Sequence, residues 1–284
     1  MKLIRFGEPG REKPGLQLED GSRIDVSYHI QDYTPEFFAA GGLERVRQIA
    51  ASRARCPTVP ASVRLGAPVA RPHKFIAIGL NYRKHAEEVG AKIPTEPEIF
   101  SKHTSCICGP DDGIAIPKTS TKLDYEVELA FVMKDRVEDL ASEGEALEHV
   151  AGYLICNDVS ERDFQSRGSQ WVKGKSHDTF GPLGPWLVTP DELGDPHTLE
   201  VKLTVNGKVR QESNTNDFIF NIPHIIWYSS QFFPLEAGDV ITTGTPAGVA
   251  VGMKDPNAFL KEGDTVEVTV ARLGKQTQKV RRKV

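Results

Sequence analysis

The stretch KLDYEVELAFVM, Lys122 to Met133, reads as a β-strand carrying two carboxylates, Glu126 and Glu128, two residues apart. Side chains alternate across a strand, so Tyr125, Val127 and Leu129 share one face. Glu126 and Glu128 share the other, roughly 6.6 Å apart along the chain. By itself the pattern fits a half-exposed strand with its apolar face packed and its acids in water. A chemical role requires a third acid and a cation.

The third acid stands in GYLICNDVSERDFQ, Gly152 to Gln165, where an apolar strand runs into Asn157-Asp158. Ser160-Glu161-Arg162-Asp163 then has the form of a capping box that starts a helix. Asp158 falls between the two, where a turn or cap is the simple alternative. Three carboxylates meeting in a cleft cannot all stay ionised without a partner, because burial and mutual repulsion raise their pKa values. A divalent cation removes the conflict, and all-oxygen ligation favours Mg²⁺ or Mn²⁺ over zinc.

Three further stretches bring groups suited to catalysis. In GLNYRKHAEEVG, Gly79 to Gly90, a short helix places His85 and Glu88 at i and i+3 on one face. A carboxylate that orients imidazole makes it a competent general base near neutral pH. QWVKGKSHDTFGPLGPW, Gln170 to Trp186, offers Lys173 and Lys175 among glycines and aromatics. VITTGTPAGV, Val240 to Val249, sets Thr245 after Gly244, where a hydroxyl and backbone N–H groups suit a substrate carboxylate. Each motif alone also fits an ordinary surface helix, loop or tight turn.

The rest of the chain sets the frame. Its 284 residues allow one large core, or a large domain with a small one. With 35 basic and 39 acidic residues well mixed, the net charge of −4 provides no basic field for nucleic acid. The N-terminus lacks a signal-peptide core and no long apolar run follows, which points to the cytoplasm. Cys56, Cys106, Cys108 and Cys156 show no C-x-x-C spacing and read as reduced thiols. Short runs such as KLIRF suit a small N-terminal sheet. YTPEFFAAGGLERVRQIAAS reads as a helix capped by Thr34 with Pro35 in its first turn. The proline-rich segment from Cys56 to Lys74 reads as a linker, with a boundary near residue 70. Beyond it the chain is β-rich: Asn206-Gly207 marks a hairpin. LEAGDVITTG and LKEGDTVEVTV look like the edges of a compact barrel or roll. IPHIIWYSSQFF is a helix opened by Pro223.

Taken together, GLNYRKHAEE, DYEVELA, NDVSERDFQ, WVKGKSHDTFGPLGPW and TTGTPAGV, in this order and at these separations, resemble the fumarylacetoacetate hydrolase superfamily. Five ordered motifs are far more specific than any one of them. The resemblance spans roughly Phe75 to the C-terminus. It implies a β-rich α+β fold, with a mixed β-roll or barrel core and short helices over residues 71–284. A small α+β N-terminal domain, residues 1–70, would precede it. Position by position, Glu126, Glu128 and Asp158 match the family's Mg²⁺ ligands, and His85 with Glu88 its water-activating dyad. Lys175 matches its active-site lysine, and Arg162 and Gln165 its polar helix residues. Gly244 and Thr245 match its carboxylate-binding turn, while Tyr82 lies beside the dyad. The enzyme that names the family has a further acid seven residues before its histidine, where this chain has Ile78.

The implied activity is Mg²⁺-dependent hydrolysis of a C–C bond in a 2,4-diketo acid, by activated water and a metal-stabilised enolate. The first candidate is 2,4-diketo-3-deoxy-L-rhamnonate or L-fuconate, giving pyruvate and a hydroxy acid such as lactate. Acylpyruvate hydrolysis and oxaloacetate decarboxylation are the alternatives on the same scaffold. A non-catalytic, metal-binding β-rich protein is the alternative of another class. The resemblance also implies a homodimer. The segment from Glu87 to Phe100, stiffened by Pro94 and Pro97, reads as a lid loop.

Overall fold

A computed structural model describes residues 1–52, 56–253 and 255–283. Its centre is Val127–Met133, a strand whose seven residues are all buried. The alternative of one wet face, open when the stretch is read by itself, is therefore excluded. Val150–Asn157 pairs with it antiparallel along one edge and Val240–Thr242 along the other, and further structure covers both faces. Such a strand reads as half-exposed in sequence only because its inward acids look like surface residues.

The large sheet runs from Thr58–Val59 through Arg23–Asp25, Lys13–Gln17 and Lys2–Phe6 to Gly181–Val188 and Val150–Asn157. It continues through Val127–Met133 and Val240–Thr242 to Phe75–Gly79, and ends at Glu98–Lys102. A second sheet orders Lys208–Asn214, Glu200–Val205, Thr265–Val270, Gly274–Arg282 and Ile114–Ile116. The helices are short, and the whole is a sheet-rich α+β fold, as the sequence leads one to expect. Among the described residues neither sheet closes into a barrel. Val240–Thr242 and Thr265–Val270, expected at edges, are interior strands with a partner on each side. Lys2–Phe6 pairs with Gly181–Val188, so the N-terminal strands extend the same sheet. The proline-rich segment contributes Thr58–Val59 and Leu65–Gly66 to it as well. No helix among the described residues is long and apolar enough to cross a membrane.

Local chemistry accounts for two further departures. The stretch after Thr34 forms two helices, Pro35–Ala39 and Gly42–Ser52, where one was expected. Thr34 does cap the first, its hydroxyl accepting from the Phe37 amide at 3.4 Å. Gly41 then turns left-handed at φ 70°, which ends the helix. In the second case Ser160 does not cap a helix. Ser160–Glu161 pairs with Leu123–Asp124 as a two-residue ladder. The helix Arg162–Gln165 is capped by the Glu161 side chain, which accepts from the Asp163 amide.

The hairpin between Glu200–Val205 and Lys208–Asn214 turns on Asn206 at φ 51° and Gly207 at φ 76°, the two positive angles its sequence demands. Asn206 also donates to Asp264 and accepts from the Thr265 amide. Asn206→Ala is expected to cost about 1–2 kcal/mol, from the left-handed backbone and two lost hydrogen bonds. The urea midpoint should fall with an unchanged slope.

Candidate active site

The three acids are brought together by strand register. Glu126 occupies the gap between Leu123–Asp124 and Val127–Met133, and Glu128 lies just inside the longer strand. Asp158 follows directly after Val150–Asn157. The ladder aligns Val127 with Asn157 and Glu128 with Cys156. The Asp158 amide then donates to the Glu126 carbonyl at 2.9 Å. Glu126, Glu128 and Asp158 are all buried, and one oxygen from each lies within 4.8 Å of the others.

Three cations share this cluster. Lys175, ending the helix Val172–Lys175, donates to Glu126 at 2.8 Å and to Asp158 at 2.6 Å. Arg162 reaches Glu126 at 2.7 Å and Asp124 at 2.8 Å, and donates to the Gln165 side-chain oxygen at 3.0 Å. Lys102 donates to Asp158 at 2.6 Å and to the Lys175 carbonyl. Burial alone would raise the Glu126 carboxyl, but Lys175 and Arg162 outweigh it and hold it below the ordinary carboxylate range. Glu128 is different. Burial, then Asp158 and Glu126, push its carboxyl well above that range. Its bonding partners are neutral, the Thr242 hydroxyl at 2.5 Å and the Gly244 amide at 2.9 Å.

These contacts test whether a divalent cation fits. Asp124, Glu126, Glu128 and Asp158 carry four negative charges when ionised, against three positive charges on Lys102, Lys175 and Arg162. The balance is one charge negative, with Glu128 lacking a cation. Ligand oxygens about 2.0–2.1 Å from Mg²⁺ lie at most roughly 4.2 Å from one another, so small side-chain rotations close the set. The donors are hard oxygens throughout. The residues present fit Mg²⁺ or Mn²⁺.

His85 and Glu88 lie on the helix Arg83–Glu88, with His85 Nδ1 3.2 Å from a Glu88 oxygen. The other Glu88 oxygen accepts from the Gly248 amide at 2.9 Å. Gly252 presses on the same group: a Cβ there would fall 2.5 Å from the Glu88 carboxyl carbon. Glu88 is thereby clamped, and by accepting from Nδ1–H it leaves Nε2 of His85 with its lone pair.

A cavity of about 360 Å³ opens over these groups. His85, Glu126, Glu128, Asp158, Arg162, Gln165, Lys175, Gly244 and Thr245 all line it, nine of the eleven residues singled out from sequence. Glu88 stands behind His85 and outside the lining. Tyr82 also lies outside it, fully buried with its ring edge on Phe218, and its hydroxyl has no hydrogen-bond partner among the described residues. Thr245 donates to the Val127 carbonyl and accepts from Gln211, so its hydroxyl proton is already engaged. Lys173, the other lysine of its loop, points to the surface and bonds the Arg167 carbonyl. The expected lid loop is shorter than residues 87–100. Glu87 and Glu88 complete a helix and Glu98–Phe100 open the edge strand, leaving 89–97 as the connection.

Sequence reading missed Lys102 and Asp124. In the strand Glu98–Lys102, Lys102 shares the inward phase with Phe100, and a lysine in that phase was the available signal. Asp124 is held by the amides of Ala250 and Val251 and fixes Arg162. In sequence it looks like a turn residue.

Comparison with known proteins identifies the family. The family model described as fumarylacetoacetate (FAA) hydrolase C-terminal matches residues 74–281. A Burkholderia multivorans protein, whose name goes no further than hydrolase, is 49% identical over 282 residues, 99% of each chain. The structure of fumarylacetoacetate hydrolase from Exiguobacterium antarcticum superimposes with a TM-score of 0.86 at 36% identity, covering all of both chains. Maleylpyruvate hydrolase from Sphingobium sp. SYK-6, solved with manganese(II) and pyruvate, gives 0.83 at 28% identity, again over all of both chains. This chain belongs to the fumarylacetoacetate hydrolase family, and is an enzyme of its hydrolase and isomerase type.

Proposed function

We propose that the protein is a Mg²⁺- or Mn²⁺-dependent hydrolase that cleaves the C3–C4 bond of a 2,4-diketo acid and releases pyruvate. The observation that carries the reading is the convergence of Glu126, Glu128 and Asp158 with the His85–Glu88 dyad on one cavity. The manganese and pyruvate of the Sphingobium enzyme support it by similarity. Substrate candidates are 2,4-diketo-3-deoxy sugar acids of the rhamnonate or fuconate type, and acylpyruvates. The working form in this reading is a cytoplasmic homodimer whose catalytic unit is residues 71–284, with residues 1–70 as a small appended unit.

Glu126, Glu128 and Asp158 would hold the cation, which supplies Lewis acidity toward the 2-oxo acid end of the substrate. His85, oriented by Glu88, takes a proton from water as the water oxygen bonds to C4. The C3–C4 bond then breaks and its electron pair stays with C3. The acyl half leaves as a carboxylic acid, and C3 takes a proton to give pyruvate. Lys175, Arg162 and Gln165 face the cavity where negative charge develops on oxygen. With the Thr245 hydroxyl bonded to Val127 and the Gly244 amide to Glu128, the turn would meet the substrate carboxylate through the Thr245 amide.

Pyruvate release from an acylpyruvate or a diketo sugar acid, with Mg²⁺ present, is the test. His85→Ala is expected to lower the rate by about 10²–10⁴. If only oxaloacetate yields pyruvate, and His85→Ala leaves that rate intact, the enzyme is a decarboxylase and the hydrolase reading fails.

A further inference from the structure

The charged residues lining the catalytic cavity are confined to its acidic end. Among the described residues its cations are Arg162 and Lys175, and both already bond carboxylates. Among the described residues of the lining, no free cation remains for a second acid group on the substrate. Gln165 and Ser166 supply neutral polar contacts, and Gln165 spends its carbonyl on Arg162. The remainder of the wall is apolar, with Val89, Ala91, Phe100, Trp171 and Val251 as its main side chains. A hydroxylated or anionic tail would lose water there and gain little in return.

Phe100 and Trp171 meet edge to face with ring centroids 5.1 Å apart. Trp171 is seated on Gly79, where a Cβ would fall 2.6 Å from the indole. The same pair lines a second cavity of about 620 Å³, together with Tyr228, Phe232 and Phe233. Two cavities thus share one aromatic wall.

We propose that the substrate's acyl half is uncharged and apolar, and that the Phe100–Trp171 wall sets how long it can be by closing the catalytic cavity off from the second one. The proposal rests on the reading that the 2-oxo acid end lies at Glu126, Glu128 and Asp158. It does not depend on which bond is cleaved, because tail selection can be read from binding alone.

The experiment is calorimetric titration of the Mg²⁺-loaded protein with unreactive 2-oxo acids, from 2-oxobutyrate to 2-oxodecanoate. 2-Oxoadipate and a 2-oxo-3-deoxy sugar acid serve as the anionic and hydroxylated comparators. Affinity should rise about three- to fourfold per methylene until the tail meets the wall, and then level off. 2-Oxohexanoate should bind at least tenfold more tightly than 2-oxoadipate. Trp171→Ala, or Phe100→Leu should the first variant fail to fold, should move the plateau to longer chains. Equal or tighter binding of a comparator, a plateau unmoved in the folded variant, or no binding of the alkyl series would each overturn the proposal. Failure of pyruvate release in the hydrolysis assay, with the alkyl series behaving as expected, would instead reject only the assigned reaction.

Discussion

Glu126→Gln is expected to reduce pyruvate release at least a thousandfold and to abolish binding of Mn²⁺ in calorimetric titration. The change is nearly isosteric, so packing survives while one charged oxygen donor is lost. The cluster then has three acids facing Lys102, Lys175 and Arg162, and the charge deficit that favours a divalent cation is gone. Lys175 retains Asp158 and Arg162 retains Asp124, which keeps the fold intact. Full activity, or unchanged Mn²⁺ affinity, would remove Glu126 from the metal site.

Lys102→Met should give the largest change in stability, in a direction that depends on the metal. The ammonium is fully buried and bonded to Asp158 and to the Lys175 carbonyl. Burial works against the charged ammonium, but Asp158 more than compensates and raises its pKa. Its removal leaves a buried carboxylate short of one partner, at a cost of roughly 3–5 kcal/mol in metal-free protein. The same removal makes the cluster more negative, and a ligand that binds only the native state stabilises it in proportion to its affinity. Thermal melting should therefore show a deep loss in EDTA and a partial recovery in Mg²⁺. The gap between the two conditions should be wider in the variant than in wild type. A uniform loss in both conditions would mean that Lys102 supports the fold without facing the metal.

What could be read from sequence follows from how local each signal is. The strand character of Val127–Met133, the Asn206-Gly207 hairpin and the Thr34 cap are written in runs of a few residues, and each is found in the fold. The helix spacing of His85 and Glu88 is local as well. The burial of Glu126 and Glu128 is not. It depends on neighbours far along the chain, Val150–Asn157 and Val240–Thr242, which leave no mark on the stretch itself. The break at Gly41 was legible in the Gly41-Gly42 pair and went unread. Lys102 and Asp124 were hidden because a lysine and an aspartate near loops look like surface residues until their partners are placed.

The acids and part of the apolar wall are mounted differently. Glu128 sits on a strand, Glu126 and Asp158 flank strand ends, and the Asp158 amide to Glu126 carbonyl bond ties the two strands in one register. Val89, Ala91 and Val251, by contrast, ride on connections. Residues 89–97 could therefore be exchanged for another loop without moving an acid, and the molecule can be treated as a fixed reaction centre, with Phe100 on its strand as a fixed stop, carrying a replaceable flank. For enzyme redesign, the reaction and the choice of molecule become two separate libraries.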